Sequence, residues 1–201
     1  MTEYIYDVTD VPVSGGITPW QTIGPFFHDA LAYENGPLVA APSRPGAFTL
    51  HGYVYDGDDD PVLDALVEIW QADASGVFVE RPGIFEPPDD DGFRGFGRSS
   101  TEHDGHYTFT TLKPAGVPTH DGSAQAPHVA MSVFARGMLR RVATRVYFDD
   151  EADANAADPL LCSVDASRAA TLVARTDDGG YRFDVRLQGA DETMFLDVAA
   201  H

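Results

Sequence analysis

An all-β sandwich is the fold that this 201-residue sequence predicts, and three observations predict it. Short segments alternate apolar and polar residues with a period of two, Asp-Gly, Pro and Gly clusters punctuate them, and helical signals are confined to brief stretches. A hydrophobic fraction of 43% with 11% aromatics is enough for one core, and no flexible linker divides the chain. A single domain over residues 1–201 is expected, with an arm at 1–47 and a sandwich core carrying long loops at 48–201.

The arm carries Gly15-Gly16, Pro19, Pro25, Gly36-Pro37, Pro42 and Pro45-Gly46 and lacks a strand period. Within it, TPWQTIGPFFH (Thr18 to His28) places Trp20, Phe26 and Phe27 where no local core can form, so they need a partner surface, on this domain or on another chain. From Phe48, FTLHGYVYD alternates as a strand, DGDDDP is a turn, and VLDALVEIWQAD is a second strand expected to pair antiparallel with the first. Ala74 to Arg98 is broken by Pro82, Pro87, Pro88 and several glycines and reads as a long excursion, the kind of loop on which sites are built. A turn at Asp104-Gly105 leads into a strand from His106 to Leu112, and Ala115 to Gln125 is loop. Pro127 to Ala135 and Met138 to Phe148 form a hairpin turned at Arg136-Gly137, where glycine supplies the backbone freedom of a tight reversal. The acidic run before Pro159 admits one helical turn, Asp165 is placed to cap a helix from Ala166 to Ala174, and YRFDVRLQG and ETMFLDV are closing strands.

The net charge of -19 argues against nucleic-acid binding, which needs positive potential along a phosphate backbone. No run of about 18 apolar residues suggests a membrane span. The start of the sequence shows neither a basic nor an apolar export region, and Cys162 is the only cysteine, so no intrachain disulfide is possible; both favour the cytoplasm. Lys113 is the only lysine, and Arg136, Arg140, Arg141 and Arg145 crowd into the hairpin, as cross-strand ion pairs or as an anion-facing wall. No GxSxG, Walker, GxGxxG, CxxC or HExxH motif occurs. Cys162 reads as a buried, inert thiol, and His103 and His106 flank a turn without a third ligand. In the first hairpin strand Val129, Met131, Val133 and Ala135 share one face, and His128, Ala130, Ser132 and Phe134 the other. A metal ligand accompanying His128 would stand two residues on, and Ala130 is there instead.

GYVYD, PVLDALVEIWQAD, GFGRSSTEHDGHYTFTTLKPAG, APHVAMSVFARG, RVYFDDE and YRFDVRLQG, in that order, resemble the intradiol ring-cleaving dioxygenases from Thr18 to Val198, in particular the iron-free chains of two-chain members. The resemblance implies a β-sandwich whose catalytic members hold non-haem Fe(III) with two tyrosinates and two histidines, since anionic oxygen suits a hard ferric ion and leaves room for a deprotonated catechol. Those positions fall at Phe85, Val117, His128 and Ala130, so only His128 retains a donor. Tyr107 and Asp104, which could stand in, read as scaffold.

The resemblance therefore implies no metal on this chain, Fe(III) held by an iron-binding beta-type partner in an αβ hetero-oligomer, and a shared substrate-pocket wall. Carried over by position, that wall is Thr22, Pro25, Phe26 and Arg136, with Phe26 where a tyrosine is expected. The implied reaction is O2-dependent cleavage of protocatechuate (3,4-dihydroxybenzoate) to 3-carboxy-cis,cis-muconate. Arg136 would offer its guanidinium to the substrate carboxylate, or else form a structural ion pair at the strand end. Two other readings stay open: an independent dioxygenase with rearranged ligands, and a non-catalytic sandwich serving as a binding module.

Overall fold

Nine strands and four short helices make up the described part of the computed structural model, which covers residues 21–24, 26–79, 87–89, 92–101, 103–120 and 122–197. In chain order they are α1 (Phe27–Leu31), β1 (Ala47–Tyr55), β2 (Leu66–Trp70), β3 (Phe96–Ser100), β4 (His106–Leu112), β5 (His128–Phe134), β6 (Val142–Phe148), α2 (Ala152–Ala157), α3 (Pro159–Cys162), α4 (Ala166–Ala170), β7 (Val173–Asp177), β8 (Gly180–Arg182) and β9 (Val185–Arg186). The order across the sheet is β3-β2-β5-β6-β7-β8-β1-β4, with β9 beside β1. This is the all-β architecture expected.

The sheet folds over on itself, so that Val67, Ile69, Val129, Met131, Val133 and Val146 from one half meet Leu50, Val54, Tyr107, Phe109, Tyr181 and Val185 from the other in one core. Strand parity decides which residues enter. Val129, Met131, Val133 and Ala135 are buried, as their alternation predicts, whereas Ala130 faces outward. The two ends of the sheet approach one another at Gly97 of β3, where a Cβ would lie 2.6 Å from Val39 and 3.0 Å from Phe109 of β4. Val39 is itself fully buried, and its amide donates to Thr110, which stitches residues preceding β1 onto β4.

Several expectations are corrected. The first two strands do not pair in a ladder: β1 lies between β4 and the β8–β9 segment, while β2 lies between β3 and β5. A Tyr55–Pro61 bridge, with the Val62 amide on the Val54 carbonyl and the Asp56 amide on the Asp60 carbonyl, joins the β1 end to the turn before β2. The end of the long excursion is strand β3, which its glycines concealed, because Gly97 is there for close packing and not for a turn. The second hairpin strand starts at Val142, not Met138: Gly137 takes φ of 85°, the Met138 amide returns to Ala135, and residues 138–141 complete a wider connection.

The helix after Asp165 ends at Ala170, because buried Leu172 and Ala174 carry the chain into β7 beside β6. Asp165 occupies the N-cap but its side chain makes no capping bond; Asp158 instead caps α3. YRFDVRLQG is split into β8 and β9. The Phe183 carbonyl accepts the buried Tyr107 hydroxyl, and the Asp184 carboxylate takes the Tyr53 amide at 3.1 Å, so the ladder is interrupted there. Gly52 permits this approach, since a Cβ would lie 1.9 Å from the Phe183 oxygen. Over 192–197 no strand forms; the Thr193 and Leu196 amides bond singly to Arg186 and Ala143. Cys162 is exposed, not buried.

Asp158 is fully buried and accepts bonds from the Ala126 amide (2.9 Å), the Leu160 and Leu161 amides (2.9 and 3.1 Å) and the Tyr147 hydroxyl (3.1 Å). Removing it leaves those donors unpaired. Asp158→Ala is expected to cost about 3 kcal/mol, seen in thermal melts as a Tm drop on the order of 10 °C, with Asp158→Asn milder. A melt unchanged by Asp158→Ala would show that water satisfies the network.

Candidate functional site

Two separate places collect the residues singled out in the sequence, and they lie at opposite ends of β5. At its start, a cavity of about 550 Å³ is lined by Trp70, Phe78, Val117, His128, Ala130 and Arg145 among others. Cross-strand register builds it. Trp70 of β2 pairs with Ala130 of β5, and Ala130 pairs with Arg145 of β6, so these three side chains stand in one row on the outer face. The loop after β4 supplies Val117, fastened where the Gln125 amide donates to the Val117 carbonyl. Gln71 is buried and fully engaged as the floor: its amide donates to the Leu112 carbonyl at 2.7 Å and its oxygen accepts from Thr111 at 2.7 Å.

The fold thus brings Val117, His128 and Ala130 together as the resemblance requires; Phe85 lies outside the described residues. The donor set does not fit a ferric ion. Valine and alanine present no lone pair, and the Arg145 cation lies near the single imidazole. His128 donates Nδ1–H to the Ala126 carbonyl at 2.8 Å, and its ring packs 5.5 Å from that of Tyr147. Burial lowers its pKa below the ordinary 6.5, the Ala126 bond opposes this, and Arg145 adds to the lowering.

Arg145 donates to the Tyr147 hydroxyl at 3.3 Å, and that hydroxyl donates onward to Asp158. Burial pushes the Tyr147 pKa up to about 12, so it is a neutral donor. Neither proposed substitute ligand reaches this place: the Tyr107 hydroxyl is held on the Phe183 carbonyl in the core, and Asp104 accepts the His106 amide in its turn. His106 meets His51 at 3.3 Å rather than His103. Among the described residues, no three His, Cys, Asp or Glu side chains are grouped to hold a metal.

At the far end of β5 the arm meets the hairpin. The Gly137 amide donates to the Thr22 hydroxyl at 3.1 Å, and Phe27 packs against Phe134 with ring centroids 6.4 Å apart. Arg136, whose side chain is 68% exposed, places Nε 3.0 Å from Asp64. Phe26 is 76% exposed, Ile23 and Leu139 are exposed beside this contact, and Pro25 and Trp20 lie outside the described residues. From His128 to Arg136 an extended chain spans about 26 Å, so neither group serves the other. The arginine cluster is therefore divided: Arg136 is ion-paired, Arg141 donates to Ser132 at 2.7 Å, and Arg145 faces the cavity. Arg145 and Trp70 were not visible as cavity residues in the sequence; their signal is register across three strands, which no local period carries.

The family described as Dioxygenase matches residues 23–189 of this chain. The alpha chain of protocatechuate 3,4-dioxygenase from Burkholderia cepacia is 43% identical over 90% of this chain and 97% of its own length. The beta chain of the same enzyme from that organism is 31% identical over 86% and 76% respectively. Among solved structures, the dioxygenase domain of a carbohydrate-binding fusion protein from Streptomyces sp. SirexAA-E superposes with a TM-score of 0.56 at 28% identity, covering 86% of this chain and 99% of its own.

The lowered pKa of His128 fixes the sign of a pH dependence. Between the folded value and about 6.5 the unfolded chain binds more protons than the folded one, so stability falls as pH drops through that window and levels off below it. NMR titration of the His128 ring should give a midpoint below 6.5, and His128→Gln should flatten this part of the acid limb. His106, lowered chiefly by burial, keeps a residual slope in the variant. A ring midpoint above the ordinary value would show His128 to be charge-stabilised instead.

Proposed function

This chain belongs to the ring-cleaving dioxygenase family, and from that premise we propose that it is the iron-free, alpha-type subunit of a protocatechuate 3,4-dioxygenase. In this reading a beta-type partner holds Fe(III), and this chain completes the wall of the partner's substrate pocket in an αβ hetero-oligomer, in the cytoplasm. The complex inserts O2 between the two hydroxyl-bearing carbons of 3,4-dihydroxybenzoate, giving 3-carboxy-cis,cis-muconate. Ferric iron supplies the Lewis-acidic centre in the partner.

One observation carries the proposal: the assembly of Thr22 and Arg136 stands at the end of β5 remote from this chain's own donor-poor cavity. A cation and exposed apolar groups placed there stand away from that cavity, and they suit a neighbouring chain's site. Each residue has a definite task in this reading. Asp64 holds the Nε edge of Arg136 and so orients the outer edge of the guanidinium, which meets the substrate carboxylate. Thr22 accepts the Gly137 amide and docks the arm against the turn that carries Arg136. Pro25 and Phe26 extend the apolar wall, and Phe26 lacks the hydroxyl that a tyrosine would offer. Because the protein carries a net charge of -19, a local cation offsets the field that would otherwise repel an anionic substrate.

In the complex with its partner, Arg136→Ala is expected to raise KM for protocatechuate about tenfold at low salt and less at high salt, with kcat little changed. Unchanged KM in both conditions removes Arg136 from the site. Iron analysis is expected to find the metal with the partner and none retained by this chain alone; a full complement on this chain alone would establish the independent-dioxygenase reading. Failure to co-purify with an iron-bearing relative, with no activity gained on mixing, would leave the binding module.

A further inference from the structure

We propose that the cavity at the start of β5 is a binding site for a small aromatic monocarboxylate, separate from the shared pocket wall and independent of the role given to Arg136. Its volume, about 550 Å³, lies in the range of small-molecule sites. The walls are Trp70, Phe78, Val117 and Pro118, faces suited to a planar ring. In the row Trp70–Ala130–Arg145 the central residue has only a methyl group, which leaves space above the sheet between an indole and a guanidinium.

Charge selects the ligand. Arg98, Arg136, Arg168, Arg182 and Arg186 are each ion-paired, with Glu68, Asp64, Glu192, Asp184 and Asp59. Arg145 differs: its contact is a 3.3 Å bond to the Tyr147 hydroxyl, and among the described residues no carboxylate pairs with it. The nearby Asp158 is consumed by three amides and that hydroxyl. A fixed cation at the wall of an apolar cavity, in a chain of net charge -19, is complementary to one carboxylate on a ring. The same cation opposes a metal ion there. Loss of the metal-binding residues thus exchanges a cation site for an organic-anion site, with Ala130 as the substitution that makes room.

Titration calorimetry of the full-length chain with benzoate, and with benzyl alcohol as the neutral counterpart, tests this. Saturable benzoate uptake at a single site per chain is expected, with benzyl alcohol weaker by at least about tenfold. Arg145→Met should weaken benzoate by a similar factor, Arg145→Lys should restore part of it, and Ala130→Phe, which fills the cavity and leaves Arg145 in place, should abolish uptake. Trp70 provides a second readout, since a ring seated beside it quenches indole emission in the parent and not in Ala130→Phe. Absence of saturable uptake, equal affinity for the alcohol, or uptake undiminished in a folded Ala130→Phe chain would each overturn the proposal.

Discussion

The buried carboxylate of Asp158 is the constraint on which the cavity end of the molecule depends. Its oxygens hold the first turn of α3, the amide of Ala126 before β5, and the hydroxyl of Tyr147 on β6. With that hydroxyl's proton committed to Asp158, its oxygen is left to accept Arg145. With Ala126 fixed, its carbonyl is set to receive Nδ1 of His128. A satisfied buried network of this kind rigidifies its members, because each broken link strands a polar group away from water. His128 and Arg145, which line the cavity, are thereby positioned from behind by Ala126, Tyr147 and Asp158.

Strand β5 then separates two chemistries. Its inward residues Val129, Met131 and Val133 are locked in the core, so the strand cannot slide, and a one-residue slip would turn this face outward. At one end stand His128 and the cavity; at the other, Arg136 held by Asp64 and a turn clasped by Thr22. Both ends present a guanidinium in a strongly acidic chain, yet they differ in kind. Arg136 is exposed and already shares a carboxylate, whereas Arg145 leans on a neutral hydroxyl.

At the His128 end of β5 the sheet register decides where space is left. Ala130 lies between Trp70 and Arg145, and its methyl group leaves the space between them unfilled. The space therefore persists as a cavity. Val117 bounds one side of it from a loop tied back on itself at Gln125.

The outward placement of His128 and Ala130 was legible from a period of two, and so was the shortage of donors, because side-chain chemistry is fixed by residue type. The first hairpin strand, the strand His106–Leu112 and the helical turn before Pro159 were legible from equally local signals. Strand β3 was hidden because glycine marks both a turn and a close approach, and only Val39 and Phe109 distinguish them. The split between β8 and β9 was hidden because Tyr107 and Tyr53, far away in the chain, claim the groups that would have continued the ladder. Sequence alone thus determined which donors exist and which face each strand residue takes. Only the tertiary structure decided that Trp70, Ala130 and Arg145 share a cavity and that Arg136 does not, because neighbours across a sheet are set by long-range register, which no local pattern encodes.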